Sequence, residues 1–568
     1  MRKFHGILAI GLGLSLAACS NTNAPTAATV TSRSVTAQAT SGTKAYLVGF
    51  KSGVGVNSAS ITKAGGQLKK SWKNLSAALV TLTPEGVAAL QGDPSVEYVE
   101  ADVTRHVEGG PSGVTDDPTT PSTDSGRPGL NPGSNTSTLW VPQGEATYGT
   151  VALKSPALNA AGRDGSGVAV CVADTGIDAG HPEFAGKLKG YANFMGDDHP
   201  TPWDGNEHGT HVSGTIFAQL GHGSTELMTG MDAGGVVGVA PGVNLYMARV
   251  LGDDGSGSSS GVVDGVNWCV GQLRSQGGTE DHVIVSLSLG SEEGSKTEQR
   301  AFAKAYEAGA LVVAAAGNTG LNEPHYPASY PTVMAVGSIN DKGNLSSFST
   351  FGKQVELVAP GENVLSTVPR GMGSGADASA GGVSAYSSVL ASNPTTLGDV
   401  TAQIAAAGGD GKLCSTDPNL AGKIALISRG TCSFAVKVSN AAKSGAVAAI
   451  VYNNTSGTII MSVAQQQAIP SVSITQQDGQ NTLAALANGP VTGHVKIYHS
   501  DYAYLNGTSM ATPHVSAAAA LVWARKPNLT NDQLRALLDN TATDLGANGR
   551  DIYFGHGLVN PSKALNGN

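Results

Sequence analysis

Between residues 44 and 106 the hydrophobic and polar positions change period in a fixed order. Ala45–Phe50 reads as a strand, Ser58–Ala64 as a short helix, and Gln67–Trp72 and Ala77–Leu82 as two further strands. Thr83 and Pro84 open a second helix, the threonine as N-cap and the proline at the first helical position, where a missing N–H matters little. Val96–Val99 alternates as a last strand, so the order is βαββαβ. Residues 107–139 are dominated by Gly, Pro, Ser, Thr and Asp, which predicts a linker.

From Trp140 onward strands alternate with helices. Val168–Ala173, Val283–Leu289 and Leu311–Ala316 are continuous apolar runs, the pattern of strands buried on both faces of a parallel sheet. They end in Asp174-Thr175-Gly176, in Gly290 and in Gly317-Asn318. Ligands of such sheets bind beyond the carboxyl ends of the strands, which groups Asp174, Ser288 and Asn318 at one crevice. Residues 372–495 differ, with few aromatics and many short valine-rich runs. A strand within Ala421–Cys432, a helix over Phe434–Ser444 and a strand over Ala446–Tyr452 predict a separate inserted domain.

The amino end reads as an export signal. Arg2 and Lys3 precede a short apolar stretch, Ile7–Ala18, too short to span a bilayer comfortably. It closes in Leu16-Ala17-Ala18-Cys19, which resembles a bacterial lipoprotein signal and implies a lipid on Cys19; the alternative is an ordinary signal cleaved nearby. Ser20–Gly42 is a flexible tether by composition.

Composition narrows the class. Of 568 residues 76 are glycine, about twice ordinary usage. With 34 basic and 43 acidic residues the net charge is −9, which argues against nucleic-acid binding by bulk positive charge. Past the first 20 residues there is no run of 18 apolar positions, so no internal transmembrane helix is expected.

Three motifs carry the chemistry: Asp174-Thr175-Gly176 at a strand end; His208-Gly209-Thr210-His211, whose small residues let a helix start close to the sheet; and Gly507-Thr508-Ser509-Met510-Ala511-Thr512-Pro513-His514, ahead of an unbroken helical run. Ser509 falls where that helix begins, with Pro513 in its first turn. A serine there has its backbone N–H free to face a developing oxyanion. Each motif alone has a bland reading as a turn, a structural histidine or a cap. Together, in the order Asp, His, Ser, they resemble the subtilisin-like serine proteases over about 140–370 and 497–565.

That resemblance implies an α/β fold, a doubly wound parallel sheet, with an α+β propeptide domain at 44–106 and a small inserted protease-associated domain at 372–495. The remaining boundaries are a signal at 1–18, a tether at 19–43, a linker at 107–139, and catalytic parts at 140–371 and 496–568. It implies Ser509 as nucleophile, His208 as base, Asp174 as the residue orienting His208, and Asn318 as side-chain oxyanion donor. His211, His514 and Asp178 are the rivals; Asp178 is expected to organise the turn before His181-Pro182. Gly255-Ser256-Gly257 and Ser288-Leu289-Gly290 resemble the two edges of the substrate cleft, between which a peptide would add as a strand. His325 stands where the family usually has a smaller residue flooring the main pocket, and whether it narrows the pocket or points away stays open.

Cys414 and Cys432 are expected to form a disulfide in the inserted domain. Cys171 and Cys269 are expected to be small buried hydrophobes, with a bridge as the second reading. No cofactor is needed for the chemistry. A structural calcium stays open: Glu183 stands where a liganding aspartate often does, Gln219–Val236 is longer than the usual calcium loop, and no metal ligand is named. The implied protein is an exported, autoprocessed monomeric zymogen, extracellular or in the cell envelope, anchored to membrane only through Cys19. Its partners are protein and peptide substrates and its own propeptide, and the self-cut is expected between about His106 and Trp140. The competing function is a non-catalytic binding scaffold that uses the inserted domain.

Overall fold

The computed structural model describes residues 42–111, 140, 142–222, 235–381, 389–392, 396–455, 461–462 and 467–567. The signal, Cys19 and the tether up to Ser41 lie outside the described residues, as does most of the linker. No helix among the described residues is long and apolar enough to cross a membrane.

The first part is a four-stranded antiparallel sheet with two helices. Its elements are β1 (Lys44–Phe50), α1 (Ser58–Lys63), β2 (Gln67–Trp72), β3 (Ala77–Leu82), α2 (Pro84–Gln91) and β4 (Val96–Ala101), in spatial order β2-β3-β1-β4. Alternation decides the faces. Val48, Phe50, Ala78, Val80 and Leu82 pack under the helices, while Leu47, Trp72, Leu75 and Ala77 pack outward against Val263 and Ala301. Thr83 caps α2 by accepting from the Gly86 N–H at 3.2 Å. Two short extended segments follow, β5 (Thr104–Val107) and β6 (Gly110–Pro111). Residues 107 and 110–111, assigned to the linker from composition, therefore lie in strands.

The central part opens with α3 (Tyr148–Ala152) and α4 (Ser155–Ala160). It continues with β7 (Ala169–Asp174), β8 (Gly190–Asn193), α5 (His208–Phe217), β9 (Asn244–Arg249), β10 (Ser256–Ser258) and α6 (Ser259–Val270). Next come β11 (Val283–Leu287), β12 (Leu289–Gly290), α7 (Lys296–Glu307), β13 (Leu311–Ala315), β14 (Val333–Ile339), β15 (Val355–Pro360) and β16 (Val364–Thr367). Seven of these strands form one parallel sheet in the order β15-β14-β13-β11-β7-β9-β8. The apolar runs are continuous because both faces are covered: Val170, Val172, Ile284 and Val313 join one core, and Ala169, Cys171, Val285 and Val312 the other. The run Val283–Leu289 splits at Ser288, since β11 belongs to this sheet and Leu289-Gly290 pairs elsewhere.

The inserted region contributes β17 (Gly373–Ala380), β18 (Val389–Ser392), β19 (Gly398–Ala406), β20 (Ile424–Ser428), α8 (Phe434–Lys443), β21 (Ala448–Tyr452), β22 (Met461–Ser462), β23 (Ser471–Ile474), α9 (Gln476–Ala487) and β24 (Thr492–Ser500). They form an eight-stranded sheet whose first and last strands pair antiparallel from Gly373↔Ser500 to Ala380↔Gly493, so the region leaves and re-enters the chain at one place. The chain then returns through β25 (Tyr502–Asn506) to α10 (Thr508–Arg525), α11 (Asn531–Thr541) and α12 (Pro561–Asn566). Helix α10 is buried on every side from Thr508 to Trp523.

Pro513 corrects the sequence reading. It lies inside α10, past the first turn. Having no N–H, it leaves the Ser509 carbonyl without its helical donor, and the Ser288 hydroxyl donates to that carbonyl at 2.8 Å instead.

Cys171 corrects a second reading. It is bonded to Cys269 and is not a free apolar side chain, because β7 and the overlying α6 bring the two Cα atoms to 5.7 Å. Cys414 is bonded to Cys432. The first bridge spans 98 residues and the second 18. The chain-entropy account gives the longer loop the larger contribution, and losing such a bridge typically costs about 2–5 kcal/mol. The paired Cys171→Ala and Cys269→Ala variant is therefore expected to melt well below the paired Cys414→Ala and Cys432→Ala variant, as calorimetry would measure.

Candidate active site

Asp174 is the last residue of β7 and His208 the first of α5. Gly209 lets the helix approach the strand end, since a Cβ there would lie 2.1 Å from the Gly176 carbonyl oxygen. Asp204 fixes the helix start by accepting from Thr210 N at 2.9 Å, from the Thr210 hydroxyl at 2.6 Å and from Thr175 Oγ1 at 3.0 Å. With both ends held, His208 Nδ1 lies 2.8 Å from Asp174 Oδ1, which also accepts the Thr175 N–H at 2.7 Å. His208 Nε2 is buried without a partner. Burial alone would lower the His208 pKa. The Asp174 charge and hydrogen bond, reinforced by Asp204 and Glu207, outweigh it and raise the pKa above the ordinary histidine value.

Ser509 stands in the first turn of α10. Its hydroxyl donates to the Ser288 carbonyl at 2.8 Å, and its backbone N–H donates to the Glu108 carbonyl at 3.0 Å. Asn318, just after β13, accepts from Thr508 N at 2.9 Å and from Thr508 Oγ1 at 3.1 Å, which leaves its amide nitrogen as the remaining donor.

The other histidines are engaged elsewhere. His211 Nε2 lies 3.0 Å from the Val364 carbonyl, and burial pulls its pKa down to about 3. His514 Nδ1 lies 2.8 Å from the Met510 carbonyl, and burial pulls its pKa down to about 4. Asp178 receives the Gly180 N–H at 3.1 Å and the Arg370 guanidinium at 2.8 Å, so it organises its turn.

The chain's own segment 104–111 occupies the cleft. Strand β5 lies antiparallel between β10 and β12, with His106 opposite Ser256 and Gly290, Arg105 opposite Gly257, and Val107 opposite Leu289. Val107 N donates to the Gly255 carbonyl at 3.0 Å, and Glu108 N to the Ser288 carbonyl at 3.2 Å. All six candidate cleft residues therefore flank one extended strand. Beyond Ser509 the chain continues as β6 against β25, with Gly110 opposite Asn506 and Pro111 opposite Leu505. Gly109 passes so close that a Cβ would lie 3.0 Å from both Ser509 Cβ and Met510 Sδ.

Sequence reasoning missed β25 as a cleft wall and missed Glu108-Gly109 as the bond at the serine. The Gly109-Gly110-Pro111 run was the available signal, a small-residue stretch after an alternating segment. Two placements were left open for His325, named from the sequence at the pocket floor. His325 does not point away: its Nδ1 lies 2.5 Å from Glu108 Oε1.

Glu183 is buried, with Oε2 unpartnered, and residues 223–234 of the neighbouring loop lie outside the described residues. Glu183 Oε1 accepts from Val236 N at 2.7 Å and from the Tyr502 hydroxyl at 2.9 Å. Burial, with the Glu145 charge, raises its carboxyl to about 7. Among the described residues no group of three His, Cys, Asp or Glu side chains is placed to hold a metal ion.

The profile described as Subtilase family matches residues 165–409, which contain Asp174, His208 and Asn318, and the PA domain profile matches 390–482. Subtilisin Savinase of Lederbergia lenta is 30% identical over 417 residues, covering 73% of this chain and 97% of that protein. Subtilisin E of Bacillus subtilis (strain 168) is 28% identical over 530 residues, covering 92% and 90%. The crystal structure of the psychrophilic subtilisin-like protease Apa1 from the Antarctic psychrotroph Pseudoalteromonas sp. AS-11 aligns with a TM-score of 0.58 at 31% identity, covering 74% of this chain and 98% of that one. With this match across nearly the whole of a relative, and the cleft geometry above, the chain belongs to the subtilase family and is a subtilisin-like serine endopeptidase.

Proposed function

We propose that the protein is made as an exported zymogen that cuts its own Glu108–Gly109 bond with an Asp174-His208-Ser509 triad, releasing 44–108 as an inhibitory prosegment. The observation that carries this is the Glu108 carbonyl on the Ser509 N–H, in a strand that runs through the cleft on both sides of the serine. The Ser509 N–H is one oxyanion donor, and the Asn318 amide nitrogen is the second.

The mechanism follows from these positions. The Ser509 hydroxyl turns from the Ser288 carbonyl toward the unpartnered His208 Nε2, which takes its proton as Oγ bonds to the Glu108 carbonyl carbon. The imidazolium, paired with Asp174, then protonates the Gly109 nitrogen as the C–N bond breaks. Water resolves the acyl-enzyme by the same route in reverse. The Asp178 and Asp204 carboxylates serve structure in this reading.

The prosegment is held by more than the cleft. Glu100 receives Lys296 N at 2.9 Å and Thr297 N at 2.9 Å at the start of α7, and Asp102 receives Ser260 N at 2.9 Å at the start of α6. Acidic side chains on two helix N-termini favour a complex that outlasts the cut. A lipid on Cys19 would then stay with the prosegment, and the mature enzyme would remain at the membrane only through it. Substrates are extended protein segments, the enzyme works as a monomer, and the boundaries of the inserted domain follow the β17–β24 pairing.

The test is labelling by a fluorophosphonate together with hydrolysis of denatured casein. The self-processed protein should be labelled on Ser509 and degrade casein; an unlabelled, inactive chain would favour the binding-scaffold reading. Asn318→Leu keeps the side-chain volume and removes the donor, and should lower the turnover number by about 10²–10³ with a small change in KM, read from steady-state kinetics. His208 must be neutral to accept the proton. Its raised pKa therefore predicts self-cleavage that is slow in acid and rises with pH through a midpoint above about 6.5, measured as release of the amino-terminal fragment.

A further inference from the structure

The strand lying in the cleft is held by its side chains as well as its backbone. Arg105 is fully buried. Its Nε donates to Glu298 Oε1 at 3.0 Å and its Nη2 to Glu298 Oε2 at 2.6 Å. Its Nη1 donates to the Glu293 carbonyl at 2.7 Å and to the Ser291 hydroxyl. Tyr330 places its hydroxyl 3.0 Å from Glu298 Oε2 and completes the cage. Three residues on, the Glu108 side chain enters the pocket beside Ser509, where His325 faces it. Gly290 and Gly317 form the walls: a Cβ on the first would lie 3.0 Å from Glu108 Oε1, and one on the second 2.9 Å from the His325 ring.

Glu298, Ser291, Glu293, Tyr330 and His325 belong to the catalytic domain and remain when the prosegment leaves. Resting on the function proposed above, we infer that the mature enzyme selects substrates with glutamate on the acyl side of the cut bond and arginine three residues before it. The pocket for arginine presents a fixed carboxylate fork, so a substrate without the cation would bury Glu298 unpaired. The pocket for glutamate is closed by a base, so an amide or a large apolar side chain loses the charged partner. The charges facing His325 are Glu108 just past β5, Glu292 from the turn after β12 and, opposing them, Arg105 from β5. The Glu108 hydrogen bond is the largest influence and raises the His325 pKa against burial, so bound glutamate favours the imidazolium.

The experiment uses the self-processed enzyme and quenched peptides carrying Arg-His-Val-Glu followed by Gly-Gly-Pro, the sequence of the chain itself. Three companions replace the arginine by alanine, the glutamate by glutamine, or both. Each single replacement should lower kcat/KM by about 10–10²-fold. The preference for glutamate over glutamine should fade as pH rises through the raised His325 pKa, while the preference for arginine persists. Glu298→Gln should lose the arginine preference and keep the glutamate preference. An enzyme that is labelled by fluorophosphonate and degrades casein but cuts all four peptides equally overturns the inference alone. An enzyme inert to both overturns the proposed function and the inference with it.

Discussion

Ser509→Ala is expected to accumulate as an uncut precursor and, when cut in trans, to remain inactive. The reason lies in how little else the cleft has to offer as nucleophile. The Ser288 hydroxyl is committed to the Ser509 carbonyl that Pro513 leaves without a helical donor, and the Thr508 hydroxyl to Asn318 Oδ1. Removing the nucleophile lowers turnover by about 10⁶ in subtilisin itself, with a residue of about 10³–10⁴ over water from binding and the oxyanion hole. A similar loss is expected here. Because the alanine variant keeps the Ser509 backbone N–H donor, the prosegment should still bind. Intact mass over days and casein turnover by the trans-cut protein check this. Self-cutting at a rate near wild type would remove Ser509 from the mechanism.

The second large effect is expected from Asp174→Asn. The substitution is isosteric, and the Thr175 N–H can still find an oxygen. It removes the charge beside His208 and adds an amide nitrogen where Oδ2 is already buried without a partner. Turnover should drop by about 10⁴, the effect of the same exchange in a serine protease of unrelated fold. The pH profile adds a sign. Asp174 is the leading influence holding the His208 pKa up against burial, so the acid limb of self-cleavage should move to lower pH while the maximum falls. A merely destabilised protein would lose rate without that shift. Unfolding measured alongside separates the two.

The fold was legible wherever a side-chain period reports burial. The amino-terminal sheet announces itself through alternation in β1 and β3 and the Thr83-Pro84 cap, and the parallel strands through runs buried on both faces. Asp174, His208 and Ser509 stood out as candidates because short motifs had to satisfy several local constraints at once, a glycine at a close approach and a serine at a helix start among them.

What stayed hidden depends on partners far along the chain. Cys171 and Cys269 each sit in an apolar setting that explains a small residue without a bridge. Pro513 looks like an end-of-helix residue until Ser288 is seen serving the carbonyl it leaves free. Strand β5 has no hydrophobic pattern because its backbone pairs with the cleft edges and its buried side chain is Arg105, and the composition of 107–111 suggested a linker. Glu298 hides for a different reason. Ser295-Lys296-Thr297-Glu298 has the spacing of a capping box, and Ser295 does accept the Glu298 N–H at 3.2 Å, yet the carboxylate turns to Arg105.

The central claim is that the bond on the Ser509 N–H is the one the enzyme cuts in itself. The direct measurement is the new amino terminus and the mass of the released fragment, taken on the full chain as it matures. Self-cleavage in register predicts a mature protein that begins at Gly109 and a fragment that ends at Glu108, both absent from Ser509→Ala. A terminus elsewhere in 112–140, or the same fragments from the alanine variant, would contradict the account.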